Sequence, residues 1–168
     1  MGAPRSKGKP LAVQQIRLCK LFPGARCCIQ RSELVWEADL TPTELSETYR
    51  VRLTYKLGRV PRVVVLTELE RMGDCPLPHI YKDELLCLYL PGSGEWNRDA
   101  FLADTIVPWI SEWLANYETW LFAGKWLGGG THPGRWDRPI PSPSPASKTS
   151  VSSTSHAPDS APASPIAE

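Results

Sequence analysis

Long apolar runs are missing from this sequence. No unbroken hydrophobic stretch approaches the about 20 residues that a membrane-spanning helix needs, so no membrane is expected as a partner. Met1 to Pro10 is basic and polar, and no apolar segment of secretory type follows it. Charge of one sign is also lacking. Nineteen Lys and Arg face eighteen Asp and Glu, for a formal net charge of +1. That balance gives no electrostatic reason to expect nucleic acid or an acidic surface. The five cysteines form an odd set without the spacing of a disulfide framework. With no export signal, the cytoplasm is the expected compartment, and thiols are kept reduced there.

Sites for metals and cofactors are lacking too. Cys75-x3-His79 has helical ligand spacing, but Pro76 and Pro78 lie within it, and paired close-set ligands are missing, so no metal is expected. Gly128-Gly129-Gly130 is followed by neither the lysine nor the helix start of a phosphate loop, and it reads as a flexible exit from the folded part. No adenylating domain fits within 168 residues, and no cofactor is expected.

What is present divides near residue 138. Pro139 to Glu168 is almost wholly Pro, Ser, Ala and Thr, with no aromatic residue. Such a segment buries too little apolar surface to offset its ordering entropy, and it reads as a disordered tail over 139–168. All seven tryptophans precede it, which places one folded domain at about residues 8–130.

Periodicity orders that domain. Leu11 to Phe22 places Leu11, Gln15, Leu18 and Phe22 on one helical face, with Pro23-Gly24 as a stop. Arg26 to Gln30 and Glu33 to Leu40 read as strands, the first turning Cys27 or Cys28 inward. Tyr49 to Tyr55 alternates, with apolar residues at the odd positions. Pro61 to Leu66 reads as a fourth strand, more buried than the third. Together the four predict an antiparallel meander. Thr67 to Asp83 is irregular, broken by Gly73, Pro76 and Pro78, and Glu84 to Leu88 is expected to be extended. A helix rich in tryptophan is predicted from about Arg98 to Gly124. Asn97 or Asp99 would cap it, Pro108 would kink or divide it, and its tryptophans would pack on the sheet. Asp99, Asp104 and Glu112 read as solvated or capping residues of this helix.

The segment Pro78-His79-Ile80-Tyr81-Lys82-Asp83-Glu84-Leu85-Leu86-Cys87-Leu88-Tyr89-Leu90-Pro91 carries the chemistry. A thiol becomes a nucleophile as its thiolate, and its surroundings set how readily that forms. Cys87 has a histidine eight residues before it and Trp96 nine residues after it. Cysteine-mediated acyl transfer needs a thiolate, a polarising group for the oxyanion, and access for a flexible acyl donor. A cysteine between leucines can equally be a small buried hydrophobe. Cys19, Cys27, Cys28 and Cys75 lack a comparable setting and read as core or surface thiols.

The order of helix, four-strand meander, irregular segment, cysteine and helix resembles a ubiquitin-conjugating-enzyme-like α+β fold over about residues 10–125. Pro61 with Val63 to Leu66 is similar to that family's proline-bearing strand. Pro78-His79-Ile80 stands where the family has Pro-Asn-Ile, Leu86-Cys87-Leu88 where it has Ile-Cys-Leu, and Trp96 where its tryptophan follows. Here histidine replaces the family asparagine, and Leu88, Tyr89 and Leu90 replace an acidic residue. Together with Ile106-Val107-Pro108-Trp109-Ile110-Ser111-Glu112-Trp113-Leu114, these features resemble the bacterial conjugating-enzyme-like proteins of cyclic-oligonucleotide-based antiphage signalling systems (CBASS).

The resemblance implies a cysteine-dependent acyl transferase that primes antiphage signalling. Cys87 would carry a thioester with the C-terminus of a cGAS-like nucleotidyltransferase or of a ubiquitin-like protein, for transfer to an amine. Either a separate activating enzyme would charge it, or activation would come by a route that the sequence does not show. His79 would donate to the oxyanion, hold the loop, or act as a base near neutral pH. Tyr81, Asp83 and Glu84 are close enough in sequence to assist, and Trp96 would shield the site. Two other readings stay open: a non-catalytic module of the same fold that holds the nucleotidyltransferase or a ubiquitin-like tail, and a hydrolase using Cys87 and His79 as a dyad.

Overall fold

The computed structural model describes residues 8–129. The tail expected over 139–168 lies outside the described residues. An N-terminal helix α1 (Leu11–Leu21) precedes four strands: β1 (Arg26–Gln30), β2 (Glu33–Leu40), β3 (Tyr49–Tyr55) and β4 (Arg62–Val65). Two short 3-10 turns, Lys82–Glu84 and Leu102–Asp104, come before the second helix, α2 (Ile106–Ala123). The strands form one antiparallel sheet in chain order, so the fold class is α+β with the expected meander. No helix among the described residues is long and apolar enough to cross a membrane.

Alternation makes the sheet two-faced. Leu34, Trp36, Ala38 and Leu40 of β2 and Tyr49, Val51, Leu53 and Tyr55 of β3 are buried. The register sets Trp36 opposite Leu53, and Leu53 opposite Val63, so large side chains form a row across the inner face. On the outer face Glu37 pairs with Arg52 at 2.6 Å and Asp39 with Arg50 at 3.0 Å, matching their cross-strand register. Arg31 and Ser32, at φ 49° and 60°, close the β1–β2 hairpin in the two-residue left-handed turn that follows strand twist. Cys27 packs against the core, while Cys28 lines the outer face.

Several expectations need correction. Only Val63 of β4 is buried, so this edge strand is less enclosed than β3, not more. Glu84 to Leu88 is not a strand. A 3-10 turn occupies Lys82–Glu84, and a single bridge between Ile80 and Leu86 closes the loop. α2 starts at Ile106, not near Arg98. Pro108 lies in its first turn, where a missing N–H has no helical partner to lose, so it neither kinks nor divides the helix. Asn97 does not cap it. Its Oδ1 accepts the Asp99 N–H at 2.9 Å in a local turn, and the residue before α2 is Thr105. Ile106, Ile110, Trp113, Leu114, Tyr117 and Trp120 are all buried, as the packing of a tryptophan-rich helix on the sheet requires.

The α1 face turns Leu11, Leu18 and Phe22 to the core as expected, and takes in Gln14 as well. Gln14 and Leu18 are fully buried, whereas Gln15 is half-buried. A buried amide must find partners for both of its ends. Gln14 Nε2 donates to Ala100 O at 2.9 Å, and Gln14 Oε1 accepts from Leu102 N at 3.0 Å. One side chain thereby fixes α1 to the segment that leads into α2. Gln14→Ala strands one buried and one half-buried backbone group and is expected to destabilise the fold by about 2–4 kcal/mol, read by urea denaturation. A loss below about 1 kcal/mol would show that water replaces the amide.

Candidate active site

Cys87 is buried but not sealed. It is 9% exposed and lies on the wall of a cleft of about 620 Å³. His79, Tyr89, Glu95, Trp109 and Glu112 line the same cleft, and Gly129 stands at its edge. The two residues singled out from the sequence therefore share one cavity.

Backbone hydrogen bonds bring them together. The Cys87 N–H donates to His79 O at 2.9 Å, and Tyr81 N–H donates to Leu85 O at 2.7 Å. Trp113 Nε1–H from α2 also donates to His79 O, at 3.1 Å. His79 stands at φ 49°, and Asp83 and Glu84 at 65° and 57°. Left-handed backbone at such residues costs about 1–3 kcal/mol each and persists only where surroundings enforce it. Three of these residues within the turn that delivers Cys87 mark the loop as conformationally fixed by its contacts.

Electrostatics at the thiol pull both ways. Burial is the main influence and pushes the Cys87 pKa up, and the nearby Glu95 carboxylate adds to this. The Tyr81 hydroxyl beside the thiol works against them by favouring the thiolate. The Tyr81 hydroxyl is itself pushed up, by burial first and then by Cys87 beside it, so it stays protonated at neutral pH. Glu95 is anchored in the following loop, where its Oε2 accepts from Ser93 Oγ at 2.8 Å and from Leu90 N at 3.1 Å. Those bonds hold its carboxyl below the usual range, so it is charged at neutral pH. By contrast, the Cys27 thiol is pushed up to about 12, by burial first and then by Cys19 beside it.

The remaining expectations sort by place. Tyr81 lies beside the Cys87 thiol. Asp83 and Glu84 do not line the cleft. They are exposed, and Glu84 pairs with Arg71 at 3.6 Å beside a different pocket. Trp96 packs edge-on against Tyr55 at 5.9 Å and against Tyr89 at 6.0 Å. It backs Tyr89 and lines a neighbouring cleft with Arg59 and Arg98, so its link to the Cys87 site runs through Tyr89. Glu112, expected only as a solvated helix residue, lines the Cys87 cleft. Glu95 was missed, although Ser93-x-Glu95 is a loop pattern that can lock a carboxylate. Trp126 was missed as well. Its ring stacks on His79 with centroids 4.8 Å apart. Gly128 packs tightly against Trp126 and Asn116, so the described part of the glycine run folds back toward the site instead of leaving it; Gly130 lies outside the described residues. No group of three or more His, Cys, Asp or Glu side chains among the described residues is placed to hold a metal ion.

A family model described as Type II CBASS E2 protein matches residues 14–133. The match spans most of the chain and takes in the whole site, and the chain belongs to that family. Comparison with curated proteins finds no match.

Opposite shifts are expected from the two groups that act on the thiol. Tyr81→Phe removes the hydroxyl beside the thiol and raises the Cys87 pKa further. Glu95→Gln removes a facing negative charge and lowers it. The pH profile of iodoacetamide alkylation, followed by intact mass, reads both. Alkylation near neutral pH slows in the first variant and speeds up in the second; shifts of the same sign would contradict the assignment.

Proposed function

We propose that this Type II CBASS E2 protein is a cysteine-dependent acyl transferase, with residues 8–130 as its catalytic domain. The single observation that carries the reading is the shared cleft, which Cys87 and His79 both line. The proposed donor is the C-terminus of a partner protein, a cGAS-like nucleotidyltransferase or a ubiquitin-like protein. A chain terminus is thin and flexible enough to enter a cleft of this size. The reaction is placed in the cytoplasm, where reducing conditions keep the thiol available.

Two displacements complete the cycle. The Cys87 thiolate attacks the carbonyl of a C-terminus activated by a separate enzyme. A C–S bond forms, and the activating group leaves with its bonding electrons. An amine then attacks the same carbonyl, loses a proton, and expels the Cys87 thiolate as the amide forms. Both steps pass through an oxyanion. The His79 imidazole N–H is assigned as its hydrogen-bond donor, and a donor aimed at developing charge in a partly dry cleft is worth more than one in water. The resemblance places asparagine at this position, and its amide N–H can make the same kind of bond.

The burial of Cys87 and its raised pKa favour a second reading, a binding module that holds the partner without chemistry. Phage challenge of cells carrying the complete defence operon separates the two. Transfer predicts that Cys87→Ala abolishes protection at unchanged protein level; full protection by that variant establishes the module. A second substitution tests His79. His79→Ala is expected to slow Cys87 thioester formation or discharge by about 10²-fold, the scale for losing one oxyanion donor, while His79→Asn keeps most of the rate. Equal loss in both variants would assign the imidazole to proton transfer instead.

A further inference from the structure

The chain reverses direction after α2. Gly124 adopts φ 68°, and its N–H closes on Trp120 O at 2.8 Å. The next residues run back along the helix. A Cβ built on Gly128 would stand 3.0 Å from Asn116 Cγ, about two turns before the helix end, and 2.6 Å from Trp126 Nε1. Gly129 then reaches the Cys87 cleft. Lys125 and Leu127 face solvent, so Trp126 is the large side chain by which this strap attaches. Its indole lies nearly parallel to the His79 imidazole, at 4.8 Å and 20°, and also meets Trp113 at 5.7 Å.

His79 is thus held through both its backbone and its ring. Cys87 N–H and Trp113 Nε1–H fix its carbonyl, and Trp126 covers one face of its ring. The carbonyl bonds act on the backbone and not on the imidazole ring. A stacked aromatic plate restricts rotation of the ring, and pre-set orientation removes an entropic cost from the reactive geometry. Trp126 is half-buried at the edge of the core, between Trp113 and a ring of the cleft.

We propose that Trp126 is a positioning residue of the active site: the Lys125–Gly129 strap holds the His79 imidazole in the orientation used at the Cys87 thioester. This rests on the roles given above to Cys87 and His79. The close packing at Gly128 follows from the same arrangement, because any side chain there pushes on the indole edge.

The contact is read directly by NMR of the full chain. It has three histidines, and His79→Asn identifies the His79 ring protons by their disappearance. Those resonances are expected to be displaced upfield by the Trp126 ring current. Trp126→Leu removes the displacement and Trp126→Phe retains much of it. In single-turnover discharge of the Cys87 thioester, Trp126→Leu is expected to be slower by on the order of tenfold. Trp126→Phe restores most of the rate, and Gly128→Ala behaves like the leucine variant although it keeps the indole. Thermal unfolding of each variant, followed by circular dichroism, separates positioning from loss of fold. An undisplaced His79 resonance in the native chain overturns the proposal, as does a folded Trp126→Leu variant that discharges at the native rate. A native chain that forms no Cys87 thioester overturns the functional reading itself, and the ring-current result then separately decides the stack.

Discussion

One carbonyl organises this site. His79 O accepts hydrogen bonds from Cys87 N–H and from the Trp113 indole, and so ties the cysteine-bearing turn both to itself and to α2. The backbone there is left-handed at a non-glycine residue, which the turn alone would not sustain. α2 supplies the missing restraint because Trp113 is buried in the core and cannot follow the loop if the loop moves. The thiol's position is therefore set by core packing, through that bond and the Leu86 N–H bond to Val63 O at 2.9 Å, and not by the loop's own preference. Gln14 has a comparable role at the other end, fixing α1 to the segment that starts α2.

The chemistry of the thiol follows from where those bonds place it. Burial and the Glu95 charge both oppose the thiolate, and Tyr81 opposes them. The resting cysteine is accordingly kept mostly protonated, which limits unwanted alkylation and oxidation. The Glu95 penalty applies only while sulfur carries charge. Once the thiol is acylated it is neutral, and a carboxylate anchored by Ser93 and Leu90 no longer works against it. The site as built thus favours the proposed acyl form over the free thiolate electrostatically, as suits a carrier that must wait for its acceptor.

Much of the frame was legible because it rests on local periodicity. The alternation in Tyr49 to Tyr55 and the hydrophobic rhythm of Glu33 to Leu40 each reflect one buried face, and the structure keeps them. What was not legible depends on contacts distant in sequence. Gln14 joins the core because Ala100 and Leu102 offer it partners, which no helical wheel contains. Pro108 looks like an interruption until the helix start is known to be Ile106. Glu95, Glu112 and Trp126 join the site from a loop, a helix and the strap beyond it, and only the fold brings these three together. The glycines near residue 128 looked like an exit because glycine marks both flexible chain and close packing; Trp126 and Asn116 decide for packing.

The central claim is that Cys87 carries an acyl group from a partner's C-terminus. Incubating the full chain with the nucleotidyltransferase and its activating enzyme, then digesting with trypsin under acidic, non-reducing conditions, tests it most directly. Cleavage after Lys82 and Arg98 gives the peptide Asp83–Arg98, in which Cys87 is the lone cysteine. The prediction is that this peptide carries the partner's C-terminal residues through a link that neutral hydroxylamine removes. An Asp83–Arg98 peptide that stays unmodified while the operon's other components are active, or a link borne by another cysteine, would contradict it.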